Sequence, residues 1–155
     1  MKKLLQRNRN GQGGFSLIEL MIVIAIIGLL IAVGVPAWGY MIRNGNETAA
    51  ITMTKQISDR QAQYYSKRKE FAADFEKLGK ETGFNENFKG AETTFNGYVF
   101  SLKTENNTAG KPNKWMLTAN PESPSSGSRH FYTDSNLSTI KVSDEGEANA
   151  GSPSL

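Results

Sequence analysis

The chain of 155 residues contains no cysteine and a single histidine, His130. Without a thiol there is no disulfide framework, no thiolate metal site and no cysteine nucleophile, although an oxidising compartment stays open to it. With one imidazole, a Ser/His/Asp triad can be built only around His130, and there is no histidine cluster for zinc. A nucleophile elbow and a phosphate-binding glycine loop are both missing, so the pattern is not that of an enzyme. His130 stands beside Phe131, Tyr132 and Thr133 and reads as a packed or exposed strand residue rather than a base.

Positive charge is also scarcer than the net value of +3 suggests. Lys2, Lys3, Arg7 and Arg9 supply +4 before Phe15, leaving 14 basic against 15 acidic residues, a net of −1, in the rest. The basic isoelectric point is therefore no sign of a nucleic-acid partner. Apolar residues are just as unevenly spread. Of 59, 22 fall among the 28 positions from Phe15 to Ile42, 3 in the first fourteen and 34 in the last 113.

From Leu20 to Val35 no polar side chain occurs, and only Ser16 and Glu19 interrupt the run that begins at Phe15. As a helix rising about 1.5 Å per residue, Phe15 to Tyr40 spans roughly 39 Å, enough to cross a hydrocarbon core of about 30 Å. A lone strand would leave its backbone unsatisfied in lipid, so the segment is read as a membrane helix. An ordinary secretory signal would carry its small-residue cleavage site after the apolar stretch, whereas Gly11, Gln12, Gly13 and Gly14 precede it. A plain signal anchor fits the four basic residues, which hold that end in the cytoplasm. Neither reading accounts for Glu19, since a carboxylate in a membrane helix costs up to about 3 kcal/mol at the bilayer centre and implies a partner.

Gly14, Phe15, Ser16, Leu17, Ile18, Glu19, Leu20 and Met21, followed by the apolar run and Pro36, resemble the amino terminus of a type IV prepilin. The resemblance implies that residues 1–14 are a leader removed by a prepilin peptidase after Gly14. It further implies that the new amino group of Phe15 is methylated, and that Glu19 pairs with the amino terminus of a neighbouring subunit. Physics favours such a pair as a register device, because a buried carboxylate and a buried ammonium penalise every docking that leaves one alone. Gly28, Gly34, Pro36 and Gly39 weaken the helix, glycine by about 1 kcal/mol and proline by about 3. In the filaments this chain resembles, the region matching Pro36 can unwind.

Beyond the apolar run, Ala50, Met53, Ile57, Tyr64, Phe71, Phe75 and Leu78 recur at helical steps, predicting an amphipathic helix from Glu47 to about Ser66. Asn44, Gly45 and Asn46 read as a bend or boundary before it, Phe71 to Leu78 as a turn and short helix, and Gly79 to Ala91 as loop. Three strands are predicted around Tyr98 to Lys103, Trp115 to Ala119 and His130 to Thr133, with a short fourth at Ile140 and Val142. The tail from Asp144 to Leu155 reads as flexible and exposed.

The expected fold is therefore α+β: a long helix, half membrane and half amphipathic, packed on a three- to four-stranded antiparallel sheet, as in type IV pilins. Its parts are the leader 1–14, the polymerisation helix 15–42 and an extracytoplasmic head 43–155. Residues Gly97 to Phe100, Ala119 to Pro121 and Gly127 to Asp134 also resemble short pilins and pseudopilins. Many major pilins close this end with a disulfide that the chain cannot form, while related secretion pseudopilins use calcium. Asp134, Ser135, Asn136, Ser138 and Asp144 offer oxygen ligands for calcium, though these are equally turn residues.

No other cofactor is expected. The expected partners are identical subunits, the inner membrane, the prepilin peptidase and the pilus or secretion machinery. A pseudopilin of a secretion or DNA-uptake system shares every amino-terminal feature, and a membrane-tethered binding module is the reading of a different class. Asn46-Glu47-Thr48, Asn106-Asn107-Thr108 and Asn136-Leu137-Ser138 are formal glycosylation triplets. Phe15, Trp38, Tyr40, Tyr64 and Tyr65 read as packing and interface anchors.

Overall fold

The computed structural model describes residues 14–106 and 113–155. Residues 1–13, which fall in the expected leader, and Asn107 and Thr108 of the second glycosylation triplet lie outside them. Helix α1 spans Leu17–Arg68 and α2 spans Phe75–Thr82. Five strands follow: β1 (Glu92–Phe95), β2 (Tyr98–Glu105), β3 (Lys114–Pro121), β4 (His130–Asp134) and β5 (Lys141–Ser143). They form one antiparallel meander in the order β1-β2-β3-β4-β5. Contacts divide the chain between Trp38 and Gly39 into two compact units.

In the second unit the sheet buries one face by strict alternation. Tyr98, Phe100 and Leu102 of β2, Trp115, Leu117 and Ala119 of β3, and Phe131 of β4 are buried. The register sets Phe100 beside Ala119 and Ala119 beside Phe131, so the apolar residues form rows across the strands. Ala50, Met53, Ile57 and Tyr64 of α1 close the same core. This is the expected two-layer α+β arrangement of a pilin, with five strands instead of three or four.

Of the bend or boundary expected at Asn44 to Asn46, the boundary is absent, and α1 runs through these residues. Tertiary bonds explain the correction, because Asn46 Nδ2 donates to the Ser126 carbonyl at 2.9 Å and Glu47 is buried. Gly28, Gly34, Pro36 and Gly39 likewise interrupt nothing in the single chain.

The short helix lies later than expected, at Phe75–Thr82, so Gly79 to Thr82 are helix rather than loop. Asp74 caps its start by accepting from Lys77 N–H at 2.7 Å, and Gly83 ends it at φ 65°. The rest of the presumed loop is anchored by Phe84 and Phe88, with Phe88 packed against the rings of Phe75, Phe84, Phe95 and Phe100. Strand β1 was not anticipated. Asn96 (φ 47°) and Gly97 (φ 71°) form its two-residue turn into β2, the Asn-Gly signal of a hairpin.

The tail is mostly exposed, as expected, but it is tied down. Val142 N–H donates to the Pro153 carbonyl and Leu155 N–H to the Ile140 carbonyl, both at 2.9 Å, and Lys141 bridges Ser154 antiparallel. Ala148 is buried. These backbone bonds fold the carboxy terminus onto the β5 edge, closing it where no disulfide exists.

Candidate functional site

Helix α1 begins with Ser16-Leu17-Ile18-Glu19, the spacing of a capping box. Ser16 N–H donates to Glu19 Oε2 at 2.9 Å, so within one chain the carboxylate caps its own helix. This contact is legible in the Ser-x-x-Glu spacing, yet the sequence reading assigned Glu19 to a neighbour alone.

The apolar segment that follows has nothing of its own to bury it. Every large apolar side chain from Phe15 to Ile42 is exposed, and none of the most apolar stretch is covered by the rest of the chain. The helix is long and apolar enough to cross a membrane. Soluble monomers rarely expose a contiguous apolar patch beyond a few hundred Å².

Gly28, Gly34 and Gly39 sharpen the point, because an added Cβ at any of them meets nothing within 4 Å. No contact inside the chain requires these glycines. At Gly34 the helix surface dips between the exposed side chains of Leu30, Ile31, Val35 and Trp38. Pro36 lies beside it.

The head is held to α1 by two polar anchors that a search for apolar periodicity missed. Glu47 is buried, and its Oε1 accepts from Ser128 N–H at 3.0 Å and Ser128 Oγ at 3.1 Å. Its Oε2 accepts from Arg129 Nε at 2.7 Å. Burial raises its pKa, but the Ser128 N–H, the Arg129 guanidinium and the Ser128 hydroxyl together bring it below the ordinary carboxylate value. Around this lock, Tyr98 O–H donates to the Arg129 carbonyl, and burial drives the phenol pKa well upward.

The second anchor is Gln61, fully buried. Its amide donates to the Ala72 carbonyl at 3.1 Å and accepts from Ala72 N–H at 2.9 Å. Arg60 donates to the Thr82 carbonyl and Lys67 to the Glu81 carbonyl, while Arg68 pairs with Glu81. These cations tie the end of α1 to the carbonyl end of α2.

Of the residues considered for calcium, Asp134 is engaged with its neighbours. Asp134 Oδ1 accepts from Asn136 N–H and Leu137 N–H, and Oδ2 from Tyr132 O–H, whose pKa burial and this carboxylate push up to about 12. Asn136 and Asp144 are exposed. Among the described residues no three His, Cys, Asp or Glu side chains gather as a metal site. His130 Nδ1 lies 2.9 Å from Asn120 Oδ1 on the strand. Of the glycosylation triplets, Asn46 is engaged with Ser126, Asn106 bonds both backbone groups of Phe71, and Asn136 is exposed.

An α+β head and an apolar helix segment left exposed in the single chain define a protein whose apolar surface must be covered by lipid or by other molecules. The prokaryotic N-terminal methylation motif matches residues 9–35. The chain is similar to the "Fimbrial protein" of Moraxella nonliquefaciens, 37% identical over 116 residues that cover 68% of this chain and 73% of that protein. It is also similar to "Fimbrial protein EcpC" of Eikenella corrodens, 40% identical over 41% of each chain, and to "Fimbrial protein Q" of Moraxella bovis, 52% identical over 27% of each. The chain belongs to the type IV pilin family. It is a structural pilin subunit, not an enzyme.

Proposed function

We infer that this chain is the precursor of a structural subunit of an extracellular type IV pilus. Prepilin peptidase cuts between Gly14 and Phe15 and the new amino group of Phe15 is methylated. Residues 15–42 anchor the subunit in the inner membrane, with the basic leader on the cytoplasmic side, and residues 43–155 form the head outside it. The pilus machinery then moves the helix from lipid into a filament of identical subunits. Because lipid is as apolar as the helix, close packing at the glycine positions and charge pairing at Glu19 supply the specificity. The region around Pro36 is the point at which α1 unwinds in the filament.

The observation that carries this reading is the wholly exposed apolar segment of α1, with glycines that no contact inside the chain requires. The fimbrial relatives favour a pilus over a secretion pseudopilus.

Glu19 supplies the test. Glu19→Ala removes both the helix cap and the charge, whereas Glu19→Gln keeps an acceptor for Ser16 N–H but not the charge. Both variants are expected to lose the leader, seen as a mass drop, and to form no filaments by electron microscopy of the cells. Normal filaments from Glu19→Gln would reject charge pairing as the register device, and an uncut wild-type chain would reject the precursor reading.

A further inference from the structure

We propose that Tyr40, Arg43 and Asn44 of α1 form a clasp for the phosphate of a phospholipid in the leaflet on the head side of the membrane. The proposal rests on the membrane-anchored precursor reading above and adds to it the lipid group that meets the chain where its apolar segment ends.

Arg43 is the first charged side chain after Glu19, because no Asp, Glu, Lys, Arg or His occurs from Leu20 to Ile42. As helix, the stretch from Glu19 to Arg43 rises roughly 36 Å, more than the hydrocarbon core of about 30 Å and less than the total of about 40–45 Å with both headgroup layers. One bilayer can therefore hold Glu19 in one headgroup layer and Arg43 in the other. Neither charge then has to enter hydrocarbon, where an unpaired charge is costly. Tyr40 stands just before Arg43, at the level that aromatic interface residues favour.

What Arg43 lacks is an anion of its own. Glu47, one turn on, is the carboxylate that an i,i+4 ion pair would use, but it is buried and bound to Ser128 and Arg129. On the other side Gly39 and Tyr40 carry no charge. Among the described residues the side chains of Tyr40, Arg43 and Asn44 make no hydrogen bond or ion pair, and it is the Asn44 backbone carbonyl that accepts from Thr48 Oγ1. Tyr40 is 70% exposed and Asn44 is exposed, while Arg43 is half-buried.

A phosphodiester is the occupant that fits. Residues at i, i+3 and i+4 share a helix face, so a phenol O–H, a guanidinium and a carboxamide NH₂ are gathered on one side of α1. The guanidinium can hold two phosphate oxygens through parallel N–H bonds, and the phenol and the carboxamide add further donors. At the edge of the hydrocarbon the lipid phosphate is the anion always at hand. In the topology above, the basic leader lies on the opposite side of the membrane. A positive charge on the head side runs against the usual distribution across a membrane, and a phosphate partner removes the conflict.

Solid-state NMR of the full-length chain in vesicles of phosphatidylethanolamine and phosphatidylglycerol tests this. With arginine isotopically labelled at Cζ, dephasing of that signal by lipid phosphorus reports guanidinium groups in contact with phosphate. Arg60, Arg68 and Arg129 are engaged within the head by the Thr82 carbonyl, Glu81 and Glu47. Arg7 and Arg9 are common to every sample and cancel in a difference. Arg43→Gln should therefore lose a discrete share of the dephased signal, up to one arginine in six. Arg43→Lys keeps the charge without the labelled carbon and should lose the same share, so the comparison stands even if Arg43→Gln does not insert. Tyr40→Phe combined with Asn44→Ala, with Arg43 in place, should shrink that share. Equal dephased signal in the wild type and Arg43→Lys, or an undiminished share in the double variant, would overturn the clasp. A wild-type chain that does not float with the vesicles would instead remove the membrane-anchor reading beneath it.

Discussion

Replacing Glu47 tests whether the head is fixed to α1 by a buried carboxylate. Glu47→Ala removes one acceptor oxygen shared by Ser128 N–H and Oγ and another bound to Arg129 Nε at 2.7 Å. Hydrogen bonds to a charged group contribute about 1.5–3 kcal/mol each before non-additivity, but Arg129 reaches solvent and recovers part of its share. The net loss expected is about 3 kcal/mol, a sizeable part of the roughly 5–15 kcal/mol that holds a domain folded. With a urea dependence of about 2 kcal/mol per molar, the midpoint falls by about 1.5 M.

The assay is urea denaturation of the full chain in detergent, followed by near-ultraviolet circular dichroism. A pH series sharpens it. The folded pKa of Glu47 lies below the ordinary value of 4.5. Its stabilisation is therefore complete above about pH 4.5 and is lost as pH falls through the lower folded value. The gap between wild type and Glu47→Gln should be widest near neutrality and close in acid. The other carboxylates cancel in that difference. A Glu47→Ala midpoint within about 0.3 M of wild type, or a gap that does not narrow in acid, would refute the lock.

Two further perturbations address the loop and the tail. In Gly127→Ala the new methyl would overlap Tyr98 Oη and the phenol ring, so a loss of about 1–3 kcal/mol is expected from overpacking, with the Tyr98–Arg129 bond broken. An unchanged urea midpoint would show that the loop yields freely. Removing Gly151 to Leu155 deletes the acceptor of Val142 N–H and the donor to Ile140, for about 2 kcal/mol at about 1 kcal/mol per bond. Hydrogen exchange at Val142 should accelerate, and unchanged protection there would show that the tail bond does not hold in solution.

Features written in contiguous residues were legible, and features made by distant pairs were not. The prepilin-like signature, the apolar segment and the alternating strands need only neighbours in sequence. Strand β1 was legible too, through Asn96-Gly97, but its four residues carry only Phe95 as a large apolar side chain. Glu47 and Gln61 sit on the buried face of α1, yet they read as solvent residues because their partners lie 81 and 11 positions away. The run Asn44 to Asn46 weakens an isolated helix, and only the Asn46 bond to Ser126, 80 residues on, shows why α1 continues. The tail has the composition of a free end, but three of its residues find backbone partners on β5 and beside it.

By itself the sequence determined that this chain has an apolar helix too large for its own core, a basic end and an α+β head. Those properties follow from hydropathy and periodicity, which are local. Only the tertiary structure decided which polar groups are buried and where the carboxy-terminal residues are tied. A buried polar group is tolerated only when folding delivers its partner, and partners brought from distant positions leave no periodic trace in the chain.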